Sequence, residues 1–479
     1  MAEGAAHVAD QTPGFLFAFI NRLLGEANMA PMRRISRRSF LATTAAVSAA
    51  SLSPPYLRRA HAAGSLSVGF WDHWVPGAND TITRICNDWA AKEKVDLKID
   101  YITSQGNKLQ MTGVAESQAR SGHDILQLTS WDAPYQARNL VPVDDIMDAA
   151  MKVNGKAPAV VEYLGKVDGH WVAVPATNGS QLKGPCGRID LLEKHGGIDV
   201  VKMYPAAGGK PDQALQDQWT WENFLSVATK CQKAGFPFGL GLGQTTDSVD
   251  WVGALFQAYG AQLVDAKGDI TVKSDAVKQV LEYMQRLVKV LPPDVFAWDD
   301  ASNNKYLISG QGSLIMNPPS AWAVAKRDNP KIAEQCWTFP SPKGPRGRFA
   351  PGLPFYWGIW KWSKNIPAAR SLLAHLSERS SIESMVNASG GYDIPGFSGL
   401  RDFKTWAEVG PPAGTVYNYP PREDQVVSIA GAPAPVRIGN QIYTQATMTK
   451  MVAKCTQGGE SIDKAIGWAA SELEGFMRT

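Results

Sequence analysis

Strand and helix signals alternate in the part of the chain that follows residue 63, and this alternation limits the possible folds. Short apolar runs typical of buried strands occupy Leu66–Trp71, Val95–Tyr101 and Ile125–Leu128. The segments between them, 78–93 and 107–121, have the apolar spacing of helices. Strands that are separated by helices form a parallel sheet with helices on its faces. We therefore predict an α/β fold, with ligand-binding loops beyond the carboxyl ends of the strands.

Glycine and proline positions predict further boundaries. A turn at Asp168–Gly169 precedes a strand that is expected to end at Pro175. The region Ala350–Trp362 also has strand character, which Pro351 and Pro354 are expected to interrupt.

The length of the chain predicts two lobes. Its 479 residues exceed what one hydrophobic core ordinarily holds. A hydrophobic content of 44% and a charged content of 19% are ordinary for a globular protein and exclude a disordered one.

Positive charge is concentrated at the amino terminus. The whole chain has 48 basic and 45 acidic residues, for a net charge of +3. Residues 1–63 hold seven arginines and three acids, which leaves 41 basic and 42 acidic residues beyond them. Nucleic-acid binding usually needs a concentrated basic surface. We therefore do not expect a nucleic-acid partner.

Residues 1–63 are predicted to be an export leader. The segment Ser36–Leu41 resembles a twin-arginine export motif, and the alanine-rich run Leu41–Leu52 follows it. Ala60–Ala62 has the small-residue pattern of a cleavage site. We predict a mature chain that begins near Ala63 and is located in the periplasm.

Three further features of the sequence concern the leader, solubility and metals. Twin-arginine motifs normally lie near the start of a protein, so Met29 and Met32 are alternative translation starts. No later segment offers about 18 consecutive apolar residues, so a soluble protein is expected. The five cysteines are widely spaced and contain no C-x-x-C pair, which argues against structural zinc. Neither a metal nor a cofactor is predicted.

Five segments carry a resemblance to a known family. They are Asp124–Gln127 with Leu140–Asp145, Asp168–Pro175, Trp219–Phe224, Ser309–Asn317 with Trp322, and Trp360–Ala369. In this order they resemble the family 1 extracellular solute-binding proteins, the group that includes the maltose-binding type. Trp362 departs from the family pattern, which usually has glycine there, and His170-Trp171 replace a basic–x–tyrosine pattern.

The resemblance implies a periplasmic-binding-protein type II fold. In that fold each of two lobes contains a mostly parallel sheet, and hinge closure traps a ligand between the lobes. The chain is then expected to cross between lobes near residues 175, 352–357 and 401. The implied segments are 64–176 plus 356–402 for lobe one and 177–355 plus 403–479 for lobe two. The implied partners are a small-molecule substrate and the permease subunits of an ABC importer in the inner membrane, and the implied state is a monomer.

A sugar or polyol is the predicted ligand. Such a ligand needs flat aromatic rings against its C–H faces and polar side chains for its hydroxyls. Sixteen tryptophans make the rings available. The candidate substrate-binding residues are Asp72, Trp74, Trp131, Asp132, Trp251, Asn317, Trp322, Tyr356, Trp357, Tyr392 and Asp393. Trp251 is equally consistent with helix packing, and Asp72 and Asp393 with turn capping.

Two other functions remain open. A secreted glycoside hydrolase would share the aromatic rings and carboxylates, but it needs two facing carboxylates. A binder of amino-acid-like or phosphorylated solutes needs a charged clamp, for which Arg138, Arg188 or Arg437 could serve. The chain contains no G-x-S-x-G, H-E-x-x-H or P-loop pattern, so we predict a binding protein and not an enzyme.

Overall fold

The computed structural model describes residues 64–206, 209–317, 320–409 and 424–478. The predicted twin-arginine motif and cleavage site lie outside these residues. Within the described ranges, no helix is both long and apolar enough to cross a membrane.

The described residues form strands and helices that alternate along much of the chain. The strands are β1 (Ser65–Trp71), β2 (Asp96–Ile102), β3 (Ile125–Thr129), β4 (Lys166–Val167), β5 (His170–Trp171), β6 (Val174–Leu182), β7 (Pro185–Arg188), β8 (Leu314–Met316), β9 (Cys336–Thr338), β10 (Lys343–Gly344), β11 (Gly347–Ile359) and β12 (Gln425–Ser428). The α-helices are Ala78–Glu93, Lys108–Ala119, Asp132–Tyr135, Asp144–Asn154, Ala159–Gly165, Ile189–Leu191, Val200–Met203, Gln213–Gln218, Trp221–Lys233, Thr246–Tyr259, Asp275–Leu287, Ser302–Ile308, Ser320–Asp328, Pro330–Ala333, Ile366–Leu376, Arg379–Ala388, Thr405–Glu408, Val436–Thr444, Thr447–Thr456 and Ile462–Arg478.

The large sheet begins with the predicted parallel unit. β1 lies between β2 and β3 and runs parallel to both, with Val68 opposite Ile99 on one side and Ile125 on the other. The helix that joins β1 to β2 covers Ala78–Glu93, the bounds expected from its apolar spacing. The α/β prediction is confirmed, and the carboxyl ends of these strands lie at one edge of the sheet.

Two long strands extend the large sheet beyond this unit. β6 and β11 pair antiparallel, and β11 also pairs with β12 near its start and with β3 near its end. Both strands continue through the prolines that were expected to end or break them. The register of β11 shifts between Leu353 and Phe355, around Pro354, which lacks an N–H. The N–H of the next residue, Phe355, donates to the Ser180 hydroxyl at 2.8 Å and not to a backbone carbonyl of β6.

The smaller sheet corrects one expectation. β7 lies between β8 and β9 and pairs antiparallel with both, where a mostly parallel sheet was expected. The parallel arrangement was carried over from the family resemblance. Helices join β8 to β9, but β7 lies between these two strands in the sheet and runs opposite to both. Antiparallel pairing accepts connections of any kind, so this local sequence permits it.

Two hydrophobic cores stabilise the described residues. One surrounds the large sheet and includes Val68 and Ile125, and the other surrounds the helix Thr246–Tyr259 and includes Leu255. The five cysteines are buried free thiols. The described residues contain no group of three metal-ligating side chains that could hold a metal ion.

Candidate ligand-binding cleft

Two adjoining cavities lie between loops of the large sheet and the start of the helix Thr246–Tyr259. The larger, here the outer chamber, has a volume of about 450 Å³. The smaller, here the inner chamber, has a volume of about 30 Å³. Gln110, Thr129 and Thr246 line both, so the two chambers adjoin, and together they are called the cleft here.

Aromatic rings form one wall of the inner chamber. Trp71, Trp74, Phe355 and Tyr392 line it. Trp71 and Tyr392 are stacked, with ring centroids 6.3 Å apart, and Trp71 lies 5.4 Å from the Phe355 ring. Trp74 is half-buried, so part of its ring is accessible to a ligand. Such a wall can pack against the apolar face of a ring-shaped ligand.

A buried histidine–aspartate pair holds this aromatic wall in place. The Val75 N–H donates to His73 Nδ1 at 2.9 Å, so the other ring nitrogen of His73 donates to Asp393 Oδ1, also at 2.9 Å. The same oxygen accepts the Gly179 N–H at 2.8 Å. Asp393 therefore joins the loop after β1, the strand β6 and the Tyr392 loop.

Amide and hydroxyl side chains form the opposite wall. The Asn317 amide donates to Asn304 Oδ1 at 2.6 Å and to Asp247 Oδ2 at 3.2 Å, and it accepts from the Ser320 hydroxyl at 3.1 Å. Asn304, Asn317 and Ser320 are buried and line the inner chamber. This network fixes the orientation of polar groups that a ligand would meet.

A lysine and three carboxylates lie behind and beside this wall. The Lys183 ammonium, 1% exposed, lies 2.7 Å from Asp247 Oδ1 and 2.8 Å from Asp250 Oδ2. Asp300 accepts the Asp247 N–H at 3.3 Å. Burial raises the pKa of Asp250 and of Asp300 to about 6, and the nearby charge of Asp247 adds to both shifts. Burial disfavours the Lys183 cation, but the adjacent carboxylates raise its pKa above the ordinary value.

The outer chamber has its own aromatic and acidic residues. Trp131 and Asp132 line it at the carboxyl end of β3, and Tyr135 is exposed at its mouth. The Trp131 indole N–H donates to the Ala430 carbonyl at 2.9 Å, which fixes the ring. The Thr129 hydroxyl donates to Asp132 at 2.5 Å, yet burial raises the pKa of Asp132 to about 6.

Three buried polar atoms of the inner chamber have no hydrogen-bond partner among the described residues. They are the indole N–H of Trp71 and the side-chain oxygens of Gln110 and Gln181. A buried polar atom left without a partner costs about 1–3 kcal/mol. A donor and an acceptor that line the same chamber can both be satisfied by a hydroxyl group, which accepts and donates.

The family is decided by a match that covers most of the chain. Residues 89–410 match the family described as bacterial extracellular solute-binding protein. The chain belongs to this family.

Solved structures of other solute-binding proteins share the two-lobed fold. Maltose-bound MalE3 of T. maritima has a TM-score of 0.69 at 19% identity, over 86% of this chain and 99% of that one. A laminaribiose-bound sugar transporter of Arthrobacter chlorophenolicus has a TM-score of 0.67 at 14% identity, over 86% and 99%. A D-mannitol-bound ABC transporter solute-binding protein of Agrobacterium vitis has a TM-score of 0.61 at 18% identity, over 87% and 98%.

A curated protein is similar to this chain over a shorter segment. A probable amino-acid ABC transporter periplasmic-binding protein of Sinorhizobium fredii is 32% identical over 127 residues, which are 25% of this solute-binding protein. The match spans 28% of that relative's length.

The cleft brings together five of the residues predicted from the sequence. Trp74, Asn317 and Tyr392 line the inner chamber, and Trp131 and Asp132 line the outer chamber.

Three predicted aromatic residues pack in the protein interior and line neither chamber. The Trp251 indole donates to the Gly241 carbonyl at 2.8 Å, within the second core. The Tyr356 hydroxyl donates to the Val161 carbonyl at 2.9 Å. Trp357 packs deeper in the large sheet, 6.2 Å from the Phe70 ring. Sequence chemistry identified suitable residue types here but not the face on which each side chain lies.

The remaining three predicted residues also lie outside the chamber walls. The Lys326 ammonium lies over the Trp322 ring, 5.2 Å from the centre of that ring. Asp72 is exposed and accepts from the Asn79 side-chain amide at 2.8 Å, a contact between the loop after β1 and the following helix. Asp393 positions Tyr392 through His73 and Gly179, as described above.

Most residues of the polar wall were not predicted from the sequence. Lys183, Asp247, Gln181 and Asn304 line the inner chamber but were not singled out as binding residues. Lys183 offered one signal, because a lysine directly after the buried run of β6 requires a buried anionic partner.

We expect the substitution Asp132→Asn to stabilise the solute-binding protein by about 1–2 kcal/mol near pH 7.5. Burial raises the pKa of Asp132 from 3.8 to about 6, so the folded state disfavours its charged form. That cost is present above about pH 6 and disappears as the pH falls toward 4. Denaturant unfolding at pH 7.5 and pH 4 tests this, with Asp148→Asn on an exposed helix face as control. An equal gain at both pH values would contradict the prediction.

Proposed function

We propose that this protein is the substrate-binding component of an ABC importer, which captures a sugar or polyol in the cleft in the periplasm and delivers it to the inner-membrane permease. The observation that carries the proposal is the cleft, in which the outer chamber of about 450 Å³ has room for the ligand and the inner chamber of about 30 Å³ receives one of its polar groups. In the inner chamber an aromatic wall faces a polar wall, and a buried donor and buried acceptors lack partners among the described residues. A neutral polyhydroxylated molecule supplies both an apolar face and the missing hydrogen bonds.

Each wall has a separate task in this proposal. Trp74 packs against the C–H face of the ligand, since it lines the chamber and is only half-buried. Asp247 and Asp300 accept hydrogen bonds from ligand hydroxyls, while Lys183 offsets part of their charge. Ring packing supplies affinity and the fixed polar groups supply orientation.

The charge arrangement favours binding over hydrolysis. A retaining glycosidase places two carboxyl groups about 5–5.5 Å apart on either side of the reacting bond. Here Asp247 and Asp250 form ion pairs with one lysine, and Asp132 belongs to the outer chamber. The family and fold are those of binding proteins, and the solved relatives with maltose, laminaribiose and mannitol bound support a sugar or polyol.

A thermal-unfolding screen of the full chain tests this function. The panel contains maltose, laminaribiose, D-mannitol and D-tagatose, with glucose 6-phosphate and leucine as charged comparisons. A ligand that binds only the folded state stabilises it by about 2.7 kcal/mol at a hundredfold excess over Kd. We expect stabilisation by a neutral compound that is recovered unchanged. Stabilisation by the charged solutes alone, or cleavage of a glycoside, would contradict the proposal.

We expect Trp74→Ala to weaken binding of the ligand found in that screen by about 10- to 100-fold. The half-buried ring packs against the first core, so the free energy of unfolding should also fall, and the affinity is measured under conditions in which the variant is folded. Calorimetric titration measures the affinity. Trp322→Ala is the matched control, because Trp322 lines neither chamber and its loss should leave the affinity unchanged. An equal loss of affinity in both variants would contradict the role of Trp74.

A further inference from the structure

A third cavity, here the rear cavity, adjoins the cleft but has a different lining. Its volume is about 390 Å³, within the range of roughly 300–1,000 Å³ typical of small-molecule sites. It shares Gln181 and Leu353 with the inner chamber, and its other described lining residues belong to neither chamber. The rear cavity is therefore a separate compartment whose wall includes parts of both β6 and β11.

The apolar part of the rear cavity's lining is aliphatic. Representative side chains are Val160, Val161, Leu182, Leu353, Ile394 and Val427. No aromatic side chain of the described residues lines it. The cavity therefore lacks the flat rings that pack against a sugar, and it suits a flexible hydrocarbon body.

The lining also contains five polar residues, Ser180, Gln181, Ser398, Arg401 and Gln425. Gln181, shared with the inner chamber, has an acceptor oxygen without a described partner, whereas Arg401 and Gln425 supply hydrogen-bond donors. The Gln425 side-chain N–H₂ group belongs to a residue that is 8% exposed, and it has no hydrogen-bond partner among the described residues. Arg401 lies at the exposed edge of the cavity and makes no ion pair with any described residue. A buried donor without a partner costs about 1–3 kcal/mol, so an acceptor at this position would be stabilising.

We propose that the rear cavity binds a small aliphatic monocarboxylate. Its hydrocarbon chain packs among the valine, leucine and isoleucine side chains. Its carboxylate accepts hydrogen bonds from Gln425 and Arg401, since a carboxylate can accept from a neutral donor and form a stronger, charge-assisted bond with a cation. This site is independent of sugar capture and would exist even if the cleft bound another class of solute.

Calorimetric titration of the full chain with octanoate tests the proposal, with 1-octanol as the probe that lacks the carboxylate. We expect one octanoate per chain. Val160→Trp fills the cavity from a half-buried position and should weaken octanoate binding at least about tenfold. Val153→Trp is the matched control, because Val153 is 78% exposed and does not line the cavity.

Arg401→Gln separates the carboxylate contact from general hydrophobic binding. It should weaken octanoate binding by about tenfold and leave octanol binding unchanged. Trp74→Ala should leave octanoate binding intact, because Trp74 lies in the other compartment. No octanoate binding, binding that Val160→Trp leaves unchanged, or loss of binding in Trp74→Ala would each overturn the proposal.

Discussion

Replacement of Lys183 by methionine is expected to destabilise the protein by about 3–5 kcal/mol near pH 7.5. The lysine is 1% exposed and lies within 2.8 Å of carboxylate oxygens of both Asp247 and Asp250. Methionine fills a similar volume but carries no charge. Three closely spaced carboxylates, including Asp300, would then remain without a buried cation among the described residues.

The pH dependence of this loss identifies its cause. The pKa values of Asp250 and Asp300 are raised to about 6, so in the folded protein these groups take up protons as the pH falls through that value. Protonated carboxyl groups do not need the lysine. The destabilisation by Lys183→Met should therefore be largest above pH 6 and should shrink toward pH 5.

Denaturant unfolding at pH 7.5 and pH 5 provides the measurement. Lys166→Met is the matched control, because Lys166 pairs with Glu162 at the surface at 3.2 Å. An exposed pair of this kind contributes about 0–1 kcal/mol. A Lys183→Met loss that is no larger than the control, or that does not depend on pH, would contradict the proposed role of the charge cluster.

The second large effect concerns Gly179, where we expect alanine to cost roughly 2–6 kcal/mol of stability. The residue has a φ of +92°, a conformation that side-chain-bearing residues rarely adopt. A Cβ at this position would lie 1.9 Å from the Phe355 ring and 2.9 Å from the Trp71 ring. Both rings belong to the aromatic wall, so ligand affinity should fall together with stability.

Gly169→Ala separates the clash from backbone strain. Gly169 also has a positive φ, of +85°, but a Cβ there would meet no atom within 4 Å. Thermal unfolding should show a much larger loss for Gly179→Ala than for Gly169→Ala. Near-ultraviolet circular dichroism should report displaced aromatic rings in the first variant only. Equal losses in the two variants would show that the close packing against Phe355 is unimportant.

The sequence predicts local structure well and long-range partnerships poorly. The first parallel unit follows from apolar spacing alone, and the helix Ala78–Glu93 has its predicted bounds. By contrast, β11 was expected to break at its prolines. A proline's cost in a strand depends on whether its missing N–H faces a neighbouring carbonyl, and only the pairing register reveals this.

For the candidate site, too, the sequence predicted the residue types well and the long-range contacts poorly. Residue chemistry identified Trp74, Asn317 and Tyr392, which line the inner chamber, but it also selected Trp251, which packs in the second core. A tryptophan has the same stacking chemistry on either face of a helix, so type alone cannot place it. Lys183 and its partner Asp247 are 64 positions apart, and no local pattern indicates that they meet.

The irregular stretch of β11 around Pro354 also has a mechanical consequence. Proline supplies no N–H, and the neighbouring Phe355 amide is held by the Ser180 hydroxyl instead of a backbone carbonyl. The Ser180 hydroxyl also donates to the Ala176 carbonyl at 2.5 Å, so it is held on both sides. Movement of β11 against β6 at this point would therefore be opposed by a side-chain hydrogen bond and not by a main-chain one.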